Sequence, residues 1–219
     1  MKRISVNIAT IPERENELIK TIDSLIEQVD EVNLFLNNYK HNPYPHTKVK
    51  VKYSDNKLGD AGKFYFLSKF DGYYFTADDD LIYPKTYIQD TIKEIEKYKV
   101  VSYHGKSFNS FPIDSYYKTP SLVRCRCLDE HRYTEPIQIA GTGVMAFDTE
   151  FFKPPFSIFK KSNMADIWIG CYAKENNIKI WCLKHTATYI KYQQVPHTIW
   201  EQKVYNCDFE TKMVNDCFS

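Results

Sequence analysis

Hydrophobic and polar positions along the first hundred residues switch repeatedly between two periods. Residues 4–9 alternate, with Ile4, Val6 and Ile8 apolar, and predict a strand. Leu18, Ile22, Leu25, Ile26 and Val29 then recur at the spacing of one helical face. Ahead of them, Thr10-x-x-Glu13 reads as a capping box, with Pro12 near the helix start. Residues 32–36 predict a second strand, Asn37-Asn38 a polar turn, and residues 49–53 a third strand. Gly59-Asp60-Ala61-Gly62 breaks the chain before a short aromatic helix expected over 63–70 and closed by Gly72. Residues 73–77 form a strand pattern that runs into three consecutive aspartates. Pro84 then opens a helix whose Ile88, Ile92 and Ile95 share a face, and residues 100–103 are the next strand.

Alternating β and α segments of this length predict a parallel sheet with helices on both faces. Such sheets bind ligands at the carboxyl ends of their strands. Asp78-Asp79-Asp80 sits at one such end, and Thr10 and Asn37-Asn38 sit at others. The second half reads differently. Residues 107–135 mix Pro, Ser, Tyr and Arg without periodicity, which predicts a long loop near a site. Residues 137–147 are apolar around Gly141-Thr142-Gly143, a strand with a bend. There Gly143 would let backbone approach a ligand, or simply turn the chain between two strands. A helix is expected over 163–176 and a strand over 178–183. From residue 193 the chain is polar and irregular, reading as a tail or a link to a further domain.

Composition narrows the function classes. The 219 residues carry 29 Lys plus Arg against 28 Asp plus Glu, so no bulk positive field is available to bind nucleic acid. The six cysteines contain no pair of CxxC motifs, so spacing predicts no structural zinc site. No secretory signal or run of 18 apolar residues is apparent, and the expectation is a cytoplasmic protein with reduced thiols. Peripheral membrane contact is left open.

The acidic triplet carries the chemistry. Three adjacent carboxylates repel one another, and a Mg2+ or Mn2+ ion relieves that repulsion while leaving positions for diphosphate oxygens. The competing reading is an acidic helix start favoured by the macrodipole. Five segments in order, SVNIATIPER at 5–14, GDAGKF at 59–64, YYFTADDDLIYP at 73–84, GTGVMAF at 141–147 and NMADIWIG at 163–170, resemble the family 2-type glycosyltransferases of the GT-A fold, most of all the small bacterial and viral enzymes that build surface glycans.

The resemblance implies an α/β fold of GT-A type, a Rossmann-like mixed central sheet flanked by helices. It would occupy residues 1–192, with a nucleotide half over 1–104 and an acceptor half over 105–192. It implies that Thr10, Pro12 and Arg14 contact the nucleotide and that Asp55 accepts a hydrogen bond from the base. Lys63 would lie near the nucleotide or its phosphates, with Asp78 facing the ribose side and Asp79 beside the donor. Asp80 would hold the Mn2+ or Mg2+, joined by a histidine after the last strand, His185, with His104 and His197 as rivals. Ordinary solvated charge is the other reading of Arg14 and Lys63.

Asp166 is the expected base of an inverting transfer, although an aspartate three residues after Asn163 would favour helix formation in any case. The expected reaction moves a sugar from a nucleotide-sugar, with UDP the expected nucleotide, to a hydroxyl of a glycan or glycolipid. It would run in the cytoplasm, or the host's cytoplasm for a viral chain. No Gln-x-x-Arg-Trp segment is present, which favours single additions over polymerisation. The alternatives are a sugar nucleotidyltransferase and a non-catalytic carbohydrate-binding protein.

Overall fold

In the computed structural model of the chain, the described residues are 2–195, 198, 201 and 203–219. The first four predicted strands form close to their expected places, as β1 (Arg3–Thr10), β2 (Glu31–Asn37), β3 (Val49–Ser54) and β4 (Gly72–Ala77). They run parallel in the order β3-β2-β1-β4. Helix α1 (Glu15–Leu25) crosses from β1 to β2 and buries Leu18, Ile22 and Leu25, the face that the periodicity marked. After the triplet come a two-residue strand, β5 (Leu81–Ile82), helix α2 (Tyr87–Tyr98) and strand β6 (Val100–Ser102).

The expected irregular stretch instead contains a hairpin of β7 (Gly105–Phe108) and β8 (Leu122–Cys125), joined by a 13-residue connection spanning 109–121. Then follow β9 (Glu135–Ile137), β10 (Ile139–Ala140) and β11 (Val144–Asp148). Helix α3 (Ala165–Glu175) leads to β12 (Ile180–Cys182) and β13 (Lys191–Tyr192). The C-terminal segment corrects a second expectation. Its residues 208–218 are helical as α4 (Asp208–Phe218), with Val214 buried in the same apolar cluster as α3.

Among the described residues, the main sheet has eight strands in the order β3-β2-β1-β4-β11-β6-β12-β9. It is mixed, because β11 runs antiparallel to β4 and β6, and β9 antiparallel to β12. The parallel sheet expected from alternation in the first half forms there as β3-β2-β1-β4, and the antiparallel insertions of the second half make the whole sheet mixed, as the resemblance implied. Alternation reports that a strand is half-buried or sandwiched, and says nothing of the direction in which a distant strand inserts.

The sheet is covered on both faces. Along β11, Val144 and Ala146 face the α1–α2 side while Met145 and Phe147 face the α3–α4 side. Tyr74 and Phe75 of β4 divide in the same way. A period of two thus feeds two apolar clusters, and the chain is an α/β, Rossmann-like structure. Among the described residues, no helix is long and apolar enough to cross a membrane.

Local details depart from the propensity reading in three places. Thr10 is the last residue of β1, and no side chain caps either Pro12–Arg14, a 3-10 turn, or α1, so the capping box does not form. Residues 63–70 are not an α-helix. Two 3-10 turns, Gly59–Phe64 and Leu67–Lys69, take their place. A Cβ on Gly62 would lie 2.2 Å from the Phe35 ring, so the absent side chain is what lets this segment lie against the sheet. The cap of α3 is Met164 rather than Asn163, which adopts φ +59°.

Candidate functional site

The parallel strands end together. Thr10 of β1 pairs with Leu36 of β2, and Asn37 pairs with Ser54 of β3, so the carboxyl ends of three strands line one edge. The triplet extends from β4 at that same edge. Antiparallel β11 starts where β4 stops, with Val144 opposite Ala77, and this brings the Gly141–Gly143 turn beside the triplet. The Asp78 N–H donates to the Gly143 carbonyl at 3.3 Å, and a Cβ on Gly143 would lie 1.9 Å from an Asp78 carboxylate oxygen. Gly143 is therefore required by a close approach to Asp78. The Tyr83 hydroxyl braces the same contact, accepting from the Asp78 N–H at 3.1 Å and donating to the Gly143 carbonyl at 2.5 Å.

Successive side chains of an extended segment point to opposite sides, and the triplet divides accordingly. Asp78 and Asp80 line a cavity of about 600 Å³, within the range of about 300–1,000 Å³ typical of small-molecule sites. Asp79 is buried behind it and pairs with Arg14 at 2.9 Å; Arg14 also reaches Asp80 at 3.4 Å. Asp79 and Arg14 are thus set as supports of the triplet rather than as wall of the cavity. The Thr21 hydroxyl on α1 lies 3.0 Å from the Asp79 carbonyl and 2.8 Å from that of Leu81. The Gln193 N–H donates to the Asp80 carbonyl at 2.8 Å, and β13 pairs with β5, so both flanks of the triplet are tied down.

Charge is concentrated in the cavity. Lys63, Lys106, Arg124 and Arg126 line it together with Asp60, Asp78, Asp80 and Asp166. Lys63 is buried and ion-paired to Asp78. Burial opposes its charge, but Asp78, Asp60 and Asp79 outweigh it and hold its pKa above the ordinary lysine value. Burial, then repulsion from Asp78 and Asp79, raises the Asp80 carboxyl to about 7. Burial, with Lys63 opposing it, pushes Asp60 to about 6. Burial, assisted by Lys106, lowers His104 to about 4, so a neutral imidazole faces the cavity.

A carboxyl whose pKa is raised on folding binds its proton more tightly folded than unfolded. The stability that this proton contributes is complete below the ordinary aspartate pKa of about 3.9 and is lost as pH rises towards 7. Asp80→Asn removes that loss. In EDTA, the stability of Asp80→Asn relative to the unsubstituted chain should therefore grow between about pH 4 and pH 7, read from urea unfolding. A difference that stays constant across this window contradicts the strained carboxyl.

Asp166 enters from α3. Its carboxylate accepts the Tyr116 hydroxyl at 2.5 Å and the Ile167 N–H at 2.9 Å. The Ala165 N–H, also at the helix start, is satisfied by Asp60 at 3.0 Å. Lys106 lies 3.7 Å from the centre of the Tyr116 ring and 4.8 Å from that of Tyr117. Burial lowers Lys106 to about 8, with Asp166 opposing the shift.

Of the residues singled out in the sequence, Lys63, Asp78, Asp80, Gly143 and Asp166 share the cavity. Thr10 is buried at the end of β1, and Pro12 is exposed on the turn that follows. Asp55 is exposed beyond β3, where it pairs with Lys57 at 2.6 Å. These three lie along the strand-end edge but outside the cavity wall.

His185 does not line the cavity. Its two ring nitrogens lie 2.7 Å and 3.1 Å from the carbonyls of Leu183 and Arg126, which occupies both positions a metal would use. His104 takes the place in the wall, and His197 falls outside the described residues. Sequence reasoning missed Asp60, Lys106, Tyr116, Arg124 and Arg126. Asp60 stood in the quoted GDAGKF segment. Tyr116, Arg124 and Arg126 lie in the stretch without periodicity and Lys106 just before it, and their placement depends on the β7–β8 hairpin.

No protein-family model matches the chain, and no curated protein matches it.

Proposed function

We propose that the chain is a metal-dependent glycosyltransferase of GT-A type. It transfers a sugar from a nucleotide-sugar, with UDP the expected nucleotide, to a hydroxyl of a glycan or glycolipid. The reading rests on one observation: Asp78 and Asp80 of the triplet and Asp166, far along the sequence from them, converge on one cavity at the carboxyl end of β4. A Mn2+ or Mg2+ ion fits Asp78 and Asp80, because both are hard oxygen donors on the cavity wall and Asp80, raised by burial and then by its aspartate neighbours, is a carboxyl that a cation would hold ionised. When bound, such an ion neutralises charge gathering on the leaving diphosphate.

The chain's own residues do the rest. Lys63, Arg124 and Arg126 supply positive charge for the diphosphate on the cavity wall. The nucleoside lies along the aligned ends of β1, β2 and β3, past Thr10 and towards Asp55. Asp166 takes the proton of the acceptor hydroxyl as that oxygen attacks the anomeric carbon, giving inversion. The Tyr116 hydroxyl and the Ile167 N–H fix the orientation of the Asp166 carboxylate.

Thermal unfolding with a panel of nucleoside diphosphates, with and without Mn2+, tests the reading. The expected result is stabilisation by a diphosphate only when the metal is present. Stabilisation by free sugars alone sinks it, and points to a carbohydrate-binding protein.

A further inference from the structure

Away from the cavity, at the far edge of the main sheet, three parts of the chain place soft ligands together. The Sγ atoms of Cys125 and Cys182 and a ring nitrogen of His131 all lie within 4.8 Å of one another. Both cysteines are free thiols and buried. A fourth donor adjoins them: Glu135 Oε1 lies 3.6 Å from Cys125 Sγ and 3.5 Å from His131 Nε2. Among the described residues, the buried His131 Nε2 has no hydrogen-bond partner. An imidazole nitrogen left in that condition costs stability, and ligation removes the cost.

We propose that Cys125, His131, Glu135 and Cys182 form a tetrahedral zinc site. Bond lengths of about 2.3 Å to sulfur and about 2.0–2.2 Å to nitrogen and oxygen require ligand atoms about 3.3–3.8 Å apart. The contacts of Glu135 to Cys125 and His131 already have that length, and the two thiols and the imidazole, within 4.8 Å of one another, have to close by roughly 1 Å at most. Two thiolates, an imidazole and a carboxylate suit Zn2+ and disfavour the harder Mg2+. Binding releases the two thiol protons to solvent.

The backbone holds the four donors without the ion. Cys182 and Glu135 are register partners on β12 and β9, and His131 forms a β-bridge to His185. Cys125 ends β8, in a separate smaller sheet of three strands in the order β10-β7-β8. The ion would therefore fasten the smaller sheet to the edge of the main one. It would also anchor the β8–β9 connection, whose Arg126, Cys127 and Leu128 line the cavity. The spacing of these residues, Cys-x5-His-x3-Glu followed by a cysteine 47 positions on, matches no compact zinc motif, and only pairing of β12 with β9 assembles it.

The test is titration of the reduced chain, its thiols counted beforehand, with Co2+ and then Zn2+. Expected are thiolate-to-cobalt charge-transfer and tetrahedral ligand-field bands that saturate at a single equivalent and vanish as Zn2+ displaces Co2+. Cys125→Ser and His131→Ala should weaken binding at least about tenfold, and Glu135→Gln should shift the ligand-field bands. Cys171→Ser should leave the spectrum unchanged. Zn2+ should also raise the unfolding temperature of the unsubstituted chain but not of His131→Ala. That half-buried variant carries the test if Cys125→Ser does not fold. Absence of thiolate–cobalt bands in the folded, reduced chain overturns the site, as does their survival in both Cys125→Ser and His131→Ala. Recovery of a Cys125–Cys182 disulfide from protein purified without oxidant overturns it as well.

Discussion

Asp80→Asn should reduce metal-dependent sugar transfer at least about 10³-fold, since an ion's neutralisation of developing charge is worth several kcal/mol and each 1.4 kcal/mol is a factor of ten. Asp80 is the triplet member that faces the cavity with the loosest cationic contact, Arg14 at 3.4 Å. Asp78 has Lys63, and Asp79 is held by Arg14. An amide at position 80 keeps the shape, loses the charge, and relieves repulsion from Asp78 and Asp79. The loss of turnover should therefore come with undiminished stability. Asp78→Asn should differ, because it leaves the buried Lys63 ammonium without its ion-pair carboxylate, a loss of about 1–3 kcal/mol once the half-exposure of Asp78 is allowed for. Transfer rates with Mn2+ and urea unfolding in EDTA read the two effects separately. Near-normal turnover in Asp80→Asn removes the metal from the proposed chemistry.

Asp166→Asn should lower the transfer rate about 10²–10⁴-fold while donor affinity is unchanged. The carboxamide oxygen can still accept the Ile167 N–H, so the start of α3 is preserved, but no basic oxygen remains for the acceptor proton. Tyr116→Phe should give a smaller loss, since the Tyr116 hydroxyl orients the carboxylate and does not take the proton. The checking measurement is donor affinity by calorimetry beside transfer rate at saturating acceptor. Weakened donor binding in Asp166→Asn, with transfer reduced only in proportion, would give Asp166 a structural role at the helix start.

Much of the first half was legible because the signals of its elements are local. Val6, Ile8, Val32, Leu34 and Leu36 alternate or cluster where the strands form, and Leu18, Ile22 and Leu25 mark α1 at the spacing of a helical turn. The triplet could be placed at a strand end from residues 73–80 alone. The capping box failed because Thr10 was drawn into β1, where pairing with β2 outweighs a cap. The helix expected over 63–70 failed because the fit of Gly62 against Phe35 and the pairing of Lys63 with Asp78 decide that backbone, and helix propensity is the weaker influence.

Which aspartate does what could not be read from three identical residues in a row. The sequence alone determined that an acidic cluster ends a buried strand, that a second carboxylate starts a late helix, and that the net charge excludes a bulk electrostatic mode of binding. Only the tertiary structure turned Asp79 inward onto Arg14 and Asp78 and Asp80 outward into the cavity. It alone inserted β11 antiparallel beside β4, setting Gly143 against Asp78, and gathered Cys125, His131, Glu135 and Cys182 at one sheet edge. The physical reason is the same in each case. Periodicity and capping report interactions within a few residues of one another, whereas strand insertion and side-chain convergence depend on pairings between segments many residues apart.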